Sequence, residues 1–467
     1  MTHKVFEIKS GGYLYDRQEN RVVRMSKDDF KCFLDIENGI HGVRSDEVLE
    51  RYRKHGLCRD NEIEEIEYPG SRDLSFYLKE HMENLTLQVT QNCNLRCSYC
   101  IYSGKYNNRT HARRKMNYET ACEAVDFYAK HSKRCDKWNV AFYGGEPLLE
   151  IELIKKVISY IEENYKGREV KYFITTNGTL LYDNTVDFLV EKNISLMLSI
   201  DGPRSIQNEN RCFVNGVGSF DIVMRNLSRM RERYPEYYQR CSTNTVVAPK
   251  QDFGCVQSFL LNDDITKGLM ARLSLISDVG TNEVFLYEEK LAIEQRKEEL
   301  KQMLSMLGKL DNALESKLFG DFENELNKKY FSLTSGSLCA RKGHPGGPCI
   351  VGARKAFVDI NGDIYPCEKL PEVEEMKIGN IETGFLYDKA ESMLNIARTT
   401  EEECKNCWAF IFCYACVAFG VDDKGISREK RLSKCPGIRR NTLEYLKNIM
   451  RLQEYGYNFE IPKKEKG

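Results

Sequence analysis

Three thiols on one short stretch, Cys93-Asn94-Leu95-Arg96-Cys97-Ser98-Tyr99-Cys100, are the residues whose types and spacing point most sharply to chemistry. A C-x3-C-x2-C spacing lets three soft ligands converge on one metal centre, whereas a tetrahedral zinc site or a 4Fe–4S cluster normally takes four. Three local ligands leave one position for something that is not protein. A zinc knuckle short of a ligand, or cysteines packed in a core, are the alternatives that spacing alone leaves open. A second set lies downstream: of 18 cysteines, eight fall between Cys339 and Cys435. Cys349 and Cys367 frame Gly362 in C-x12-G-x4-C; Cys404-x2-Cys407-x5-Cys413-x2-Cys416 follows, with Cys435 beyond. Eight thiols make two sets of four, which suits zinc or iron. The other seven (Cys32, Cys58, Cys122, Cys135, Cys212, Cys241 and Cys255) are scattered and read as small buried hydrophobes.

The elements that must hold these residues follow from the apolar pattern. Leu85–Thr90 alternates apolar with polar residues and reads as a strand that delivers the first thiols at its C-terminal end. Further strands are expected at Trp138–Tyr143, Val170–Thr176, Ile194–Ile200, Ser242–Val247 and Ala271–Ile276. Amphipathic helices fill the gaps at Tyr118–Lys130, Ile151–Tyr165, Thr185–Lys192, Phe220–Tyr234 and Phe253–Leu261. Alternating β and α predicts a parallel sheet with helices outside it, and in such barrels chemistry gathers at the C-terminal strand ends. There lie Gly144-Gly145-Glu146-Pro147, Thr175-Thr176-Asn177-Gly178, and Ser199-Ile200-Asp201-Gly202-Pro203, with Arg211 shortly after. Two glycines permit close backbone approach to a ligand, a carboxylate beside them can accept from an ammonium group, and a guanidinium suits a carboxylate.

The first eighty residues differ: strands at Val5–Ile8, Tyr13–Asp16 and Arg21–Met25, then helices near Lys27–Asn38 and Ser45–His55, with a boundary at Pro69-Gly70-Ser71. The basic loop Asn107–Lys115 reads as a solvated face, and Glu283–Ser332 as a charged helical bridge. Asp359–Tyr365 reads as a β-hairpin with an Asn-Gly turn. The expected division is 1–80, 81–282, 283–335, 336–440 and 441–467.

The cysteine loop, with Tyr99 before its last thiol, resembles the signature of radical SAM enzymes. The resemblance implies an α/β fold with a partial (β/α)6 barrel and a 4Fe–4S cluster on Cys93, Cys97 and Cys100, its fourth iron chelated by S-adenosylmethionine (SAM). Gly144, Gly145, Glu146 and Pro147 would hold the SAM amino group; Thr176, Asn177, Ser199, Asp201 and Arg211 would meet its ribose or carboxylate. The downstream cysteines resemble a SPASM domain with two auxiliary 4Fe–4S clusters, three clusters in all. Cys404, Cys407, Cys413 and Cys435 would hold the outer one. Cys349, Cys367 and Cys416 would hold the inner one, with Cys339 as fourth ligand or that iron left open. Only two residues separate Cys413 from Cys416, where the family pattern has three. Glu368, after Cys367, matches a position that supplies a general base in sulfatase-maturing relatives. The N-terminal segment resembles the winged-helix elements that bind leader peptides by strand addition.

Net charge is −1, from 69 basic and 70 acidic residues, so nothing favours a nucleic-acid or membrane partner, and no apolar run is long enough to span a bilayer. The opening residues Met1-Thr2-His3-Lys4 begin no apolar signal segment, and the cytoplasm is the expected compartment. The expected activity is that of a radical SAM oxidoreductase. It would form a thioether crosslink, cysteine sulfur to carbon, in a ribosomally made precursor peptide with a leader, drawing electrons from a donor such as flavodoxin or ferredoxin. A sulfatase-maturing formylglycine-forming enzyme, a carbon–carbon or carbon–oxygen crosslinker, and a non-enzymatic iron–sulfur or zinc scaffold are the alternatives.

Overall fold

A computed structural model describes residues 2–311, 318, 321–334, 341–346 and 349–460. Its centre is a ten-stranded sheet. Six strands, Asn84–Thr90, Lys137–Gly144, Glu169–Thr176, Ser195–Ser199, Ser242–Val247 and Met270–Leu275, lie side by side in chain order. All are parallel, with Leu85 opposite Val140, Phe142 opposite Ile174, and Leu198 opposite Thr176 and Thr243. The intervening helices Tyr118–His131, Ile151–Asn164, Asp183–Glu191, Phe220–Arg233 and Phe253–Asn262 match the expected positions to within about two residues. Their apolar stripes (Ala121, Ala124, Val125 and Tyr128; Ile154, Val157, Ile158 and Ile161) are buried against the sheet.

The sheet does not stop at the barrel. Ala356–Val358 pairs in parallel with the first strand, Ala356 opposite Leu85, and continues antiparallel into Asp363–Tyr365, Gly379–Asn380 and Gly384–Phe385. The turn between the first two of these is the expected hairpin. Asp359 Oδ1 accepts from the backbone N–H groups of Asn361 (2.8 Å) and Asp363 (2.9 Å), and Gly362 takes the positive φ. The second strand of this hairpin leads into Cys367, whose electrostatic neighbours are Glu368, Cys416 and Lys355. Barrel and hairpin share one core, in which Leu87, Phe357, Ile364 and Met393 are all buried.

The N-terminal segment folds as a three-stranded antiparallel sheet (His3–Ile8, Gly11–Asp16, Arg21–Arg24) followed by helices Lys27–Glu37 and Val43–Lys54. Strand alternation sends its side chains two ways. Val5 and Leu14 pack with Phe33 and Val48 of the two helices, together with the buried Cys32 and Cys58. Phe6, Ile8, Tyr13 and Tyr15 point the other way, into a core with Met303, Leu326, Phe412, Leu446 and Ile449. Those partners belong to the bridging helices Glu289–Met306 and Phe322–Thr334, the cysteine-rich segment, and the helix Cys435–Glu454. The linker is also held: Glu65–Ile66 pairs with Lys342–Gly343, and the Tyr68 N–H donates to Asn395 Oδ1 at 2.7 Å. The N-terminal sheet is thus buried on both faces. Of the scattered cysteines Cys241 is also buried, whereas Cys255 is exposed, against expectation, because it stands on the solvent side of helix Phe253–Asn262. No helix among the described residues is long and apolar enough to cross a membrane.

Each large apolar side chain uncovered by removing the N-terminal sheet would cost about 1.5–3 kcal/mol. Deleting residues 1–70 is therefore expected to lower the unfolding temperature of everything that remains and to promote aggregation. Thermal unfolding followed by size-exclusion chromatography checks this; an unshifted melting temperature would mean that the sheet is a separate body.

Candidate active site at the strand ends

The chain leaves the first strand at Thr90 and forms the thiol loop directly. The loop is fixed along its length to residues 210–213: the Arg96 N–H donates to Cys212 O at 2.7 Å, the Ser98 N–H to Asn210 O at 3.0 Å, and Ser98 Oγ to Asn210 Oδ1 at 2.7 Å. Donors point at the sulfurs. The Leu95 N–H lies 3.4 Å from Cys93 Sγ, the Tyr102 N–H 3.4 Å from Cys100 Sγ, Asn177 Nδ2 3.8 Å from Cys93 Sγ, and Arg211 Nη1 4.0 Å from Cys97 Sγ. Burial pushes Cys93 up to about 12 and Cys97 to about 11, and raises Cys100 as well. A buried thiol is a poor anion by itself, but bound metal would reverse that balance, because a ligating thiol is deprotonated outright. Three soft donors on one loop, ringed by N–H groups and a guanidinium, fit a thiolate-bound iron–sulfur cluster.

The strand-end motifs meet around this loop and bind one another. The Gly145 N–H donates to Thr90 O and the Glu146 N–H to Asn92 O, both at 2.9 Å. A Cβ on Gly144, whose φ is +136°, would stand 2.0 Å from Thr90 O, and one on Gly145 2.1 Å from Asn92 O. The glycines are thus required by contact with the thiol loop's own backbone, a reason the ligand-approach reading did not contain. Pro147 then starts a short 3-10 turn. The buried Glu146 carboxylate accepts from Thr176 Oγ1 (2.7 Å), the Asn177 N–H (2.8 Å) and the Leu148 N–H (3.1 Å). Burial raises its pKa and these donors oppose the rise. Asn177 Nδ2 donates to Asn94 Oδ1 at 2.9 Å, and Asn94 Nδ2 to Thr179 Oγ1 at 2.8 Å, tying the third strand end to the loop. Ser199 ends the fourth strand half-buried.

Asp201 is fully buried and accepts from Arg211 Nε (2.9 Å), the Tyr99 hydroxyl and the Val246 N–H (3.1 Å). The Arg211 guanidinium lies 5.4 Å over the Tyr99 ring. Burial works against its charge, but Asp201, with Tyr99 and Cys97 beside it, outweighs this and holds it protonated. The arginine expected to meet a ligand carboxylate therefore already has one in the fold.

The downstream thiols divide. Cys404, Cys407, Cys413 and Cys435 line one small apolar cavity with Phe410 and Ile438. Thr400 Oγ1 lies 3.2 Å from Cys404 Sγ, and the Arg439 guanidinium lies within electrostatic reach of Cys407, Cys435 and Cys404. Four soft donors facing one enclosed space fit a second cluster site. Cys367 and Cys416 lie within electrostatic reach of each other, and burial pushes Cys367 up to about 11. Cys349 is exposed and lies within electrostatic reach of Tyr68. Cys339 lies outside the described residues. Both oxygens of Glu368 accept from Lys355 Nζ at 3.0 Å, so the expected general base is engaged in an ion pair.

One part of the site was missed by reading the sequence. The Asn107–Lys115 loop is solvated at Arg113, Arg114 and Lys115 but not at Arg109, which is 3% exposed. Arg109 donates to the carbonyls of Glu368 (2.8 Å) and Leu370 and stands 3.4 Å from the Glu372 carboxylate. Glu372, buried as well, accepts from Gln88 (2.9 Å), Gln91 (3.2 Å) and the Tyr102 hydroxyl (3.2 Å). This network joins the first strand and the thiol loop to the segment that follows Cys367. Asn107-Asn108 is a turn signal, and it does sit in a hairpin between Ser103–Tyr106 and Arg109–Thr110, but Glu372 has no local signature at all.

With this geometry in place, comparison with known proteins is informative. Residues 87–260 match the radical SAM superfamily and residues 349–408 the SPASM iron–sulfur cluster-binding domain. A cysteine-type anaerobic sulfatase-maturating enzyme from Clostridium novyi (strain NT) is 25% identical over 359 residues, which cover 71% of this chain and 87% of that protein. The structure of native anSMEcpe with bound AdoMet aligns with TM-score 0.60 and 20% identity over 79% of this chain and 99% of that one. That of Streptococcus suis SuiB aligns with TM-score 0.52 and 17% identity over 92% of this chain and 97% of its own. The fold is the radical SAM α/β fold with a C-terminal SPASM domain. The chain is an enzyme of that class, and its cofactors are SAM and 4Fe–4S clusters, with auxiliary clusters in the SPASM part.

Removing one partner of a buried ion pair strands the other, at about 3–5 kcal/mol. Arg109→Met is expected to destabilise the protein by that amount and Arg109→Lys by less. Urea unfolding midpoints at matched iron content measure both; a neutral Arg109→Met would mean that the pair carries no structural weight.

Proposed function

We propose that this enzyme is a peptide maturase that forms a thioether crosslink in a ribosomally made precursor, and that residues 1–80 recognise the precursor's leader. One observation carries the reading. Among the described residues strand Arg21–Arg24 is paired on one side only, and beside it runs a groove of about 420 Å³ lined by Arg21, Val22, Tyr330, Leu333 and Met450, with Glu19 and Gln453. An open strand edge next to apolar side chains suits an extended peptide, with backbone hydrogen bonds for affinity and the groove for specificity. The SuiB alignment covers too much of this chain to leave residues 1–80 out.

In this reading Cys93, Cys97 and Cys100 hold the SAM-binding cluster, and Cys404, Cys407, Cys413 and Cys435 hold an outer auxiliary one. Cys367 and Cys416, with Cys349 and Cys339, serve an inner one. Bound there, these cofactors supply a 5′-deoxyadenosyl radical and accept the electron left after carbon–sulfur coupling. Tyr99, Asp201 and Arg211 brace the thiol loop from behind. Glu146, Thr176 and Asn177 hold the neighbouring strand ends in register, and Gly144, Gly145 and Pro147 keep them pressed against it. SAM's polar groups are then met at the barrel mouth by what these residues leave unused, with Ser199 among them. The balance is simple: the substrate carbon would give a hydrogen atom to the 5′-deoxyadenosyl radical, leaving 5′-deoxyadenosine, the cysteine thiol would give a proton as the carbon–sulfur bond forms, and the one electron left over would go to an auxiliary cluster. Reducing equivalents come from a flavodoxin or ferredoxin.

The 25% identity to a sulfatase-maturating enzyme across most of that protein favours a second reading, oxidation of a cysteine to formylglycine in a sulfatase. Co-expression with a short cysteine-containing precursor candidate, sought among the reading frames beside the gene, separates the two. A product lighter by two hydrogens per crosslink, with its thiol blocked to alkylation, supports thioether formation; an unmodified peptide, together with aldehyde formation in a leaderless sulfatase peptide, overturns it.

Two further outcomes are expected. Replacing Cys93, Cys97 and Cys100 together with alanine should abolish 5′-deoxyadenosine release, measured by chromatography after reduction with dithionite in the presence of SAM. Val22→Asp, which places a charge in the groove, should weaken leader binding about tenfold, or about 1.4 kcal/mol, by fluorescence anisotropy.

A further inference from the structure

Arg17 follows the second strand of the N-terminal sheet directly and is 0% exposed. A surface residue would need no explanation, but a guanidinium taken wholly out of water must be fully engaged. Its Nη1 donates to the carbonyl oxygens of Lys405 (2.5 Å) and Cys407 (3.2 Å). Its Nη2 donates to Gln18 Oε1 (2.8 Å) and Asn61 Oδ1 (2.6 Å), and the group lies 5.6 Å over the Phe410 ring. Lys405, Cys407 and Phe410 all belong to the segment that carries Cys404, Cys407 and Cys413. The preceding residue on the same face, Tyr15, packs against Trp408 and Phe412, with ring centroids 6.4 and 5.7 Å away.

The local geometry explains why a cation is wanted here. Helix Glu401–Lys405 ends within the Cys404–Cys407 turn, and the last carbonyls of a helix have no partner inside it. The guanidinium donates at once to the carbonyl of Lys405, the last residue of the helix, and to that of Cys407 two residues beyond it, which ties both ends of the turn to one planar group and so constrains the direction in which Cys404 and Cys407 present their sulfurs. The cavity that those sulfurs share with Cys413 and Cys435 is also lined by Phe410, the ring over which the Arg17 guanidinium lies.

We infer that Arg17 is a positioning residue for the outer auxiliary site, so that the sheet proposed to receive the leader also forms the wall that shapes this site. The inference rests on reading Cys404, Cys407, Cys413 and Cys435 as cluster ligands, and its consequence is that the N-terminal unit and the outer site cannot be assembled independently.

The experiment uses the full-length chain with Arg17→Gln, Arg17→Lys and, as reference, Cys407→Ala. Iron per chain and the paramagnetic resonance of the reduced protein are measured after anaerobic reconstitution, and amide hydrogen exchange is measured on the iron-free protein. Arg17→Gln should lose the same resonance and the same share of iron as Cys407→Ala, while the SAM-induced change in the remaining resonance is kept. Arg17→Lys, which retains charge but not the fork, should fall between. In the iron-free protein, amides of 404–413 should exchange about tenfold faster in Arg17→Gln, with the barrel strands unchanged. Full iron with unaltered exchange overturns the inference. So does faster exchange throughout the barrel, which would make Arg17 a general stability element. If Cys407→Ala itself keeps all its iron, the ligand reading fails instead, and the exchange result still decides whether Arg17 sets the turn.

Discussion

Two backbone hydrogen bonds set the geometry on which the rest of the site depends. Gly145 and Glu146 donate to the carbonyls of Thr90 and Asn92, which closes the end of the second strand onto the first residues of the thiol loop. The contact is close enough that no side chain can intervene: a Cβ at Gly144 would fall 2.0 Å from Thr90 O. A loop of three thiols has no regular structure of its own to give it shape. It takes its shape from this contact on one side and from residues 210–213 on the other. The buried Asp201–Arg211 pair and Tyr99 then support it from behind. Charged groups are expensive to bury, and these are kept where a rigid frame for an anionic cluster is needed.

The same logic explains how the cysteine-rich part is held to the barrel. A parallel strand pairing is modest by itself, and Ala356–Val358 contributes only a short one. Glu372 and Arg109 supplement it with contacts that have direction. Gln88 and Gln91 of the first strand, Tyr102 of the thiol loop and the carbonyls of Glu368 and Leu370 all converge on the pair. Apolar residues of similar volume would fill that space at lower electrostatic cost, yet they would not distinguish one register of the hairpin from the next. A slip of one residue there would send the side chains of Asp363–Tyr365 to opposite faces and displace Cys367, which follows them.

The barrel was legible in the sequence because each of its elements announces itself locally. Alternation marks the strands, three- and four-residue apolar steps mark the helices, and the strand-end motifs fall in one plane once the strands are in order. The N-terminal strands and the Asn361-Gly362 turn were legible for the same reason. What sequence could not give was partnership across long separations. Arg109 reads as one more basic residue in a basic loop, and Arg17 as a turn residue after a strand; their partners lie 263 and 390 positions away or thereabouts. At Gly144 and Gly145, likewise, nothing local reveals that the Thr90 and Asn92 carbonyls stand against them.

The two-sided burial of the N-terminal sheet bears on how substrate recognition can reach the chemistry. A recognition module on a flexible linker acts by raising local substrate concentration, and its reach is set by linker length. Here the linker itself is paired and capped, through Glu65–Ile66 and Tyr68, and one face of the sheet lies in a core with the bridging helices and the cysteine-rich segment. A peptide added to the free edge of Arg21–Arg24 would therefore sit at a fixed position relative to the barrel mouth. On the proposed reading, the distance from leader to modified residue would then be a property of the fold, and the peptide's length between the two points would select which side chain arrives at the mouth.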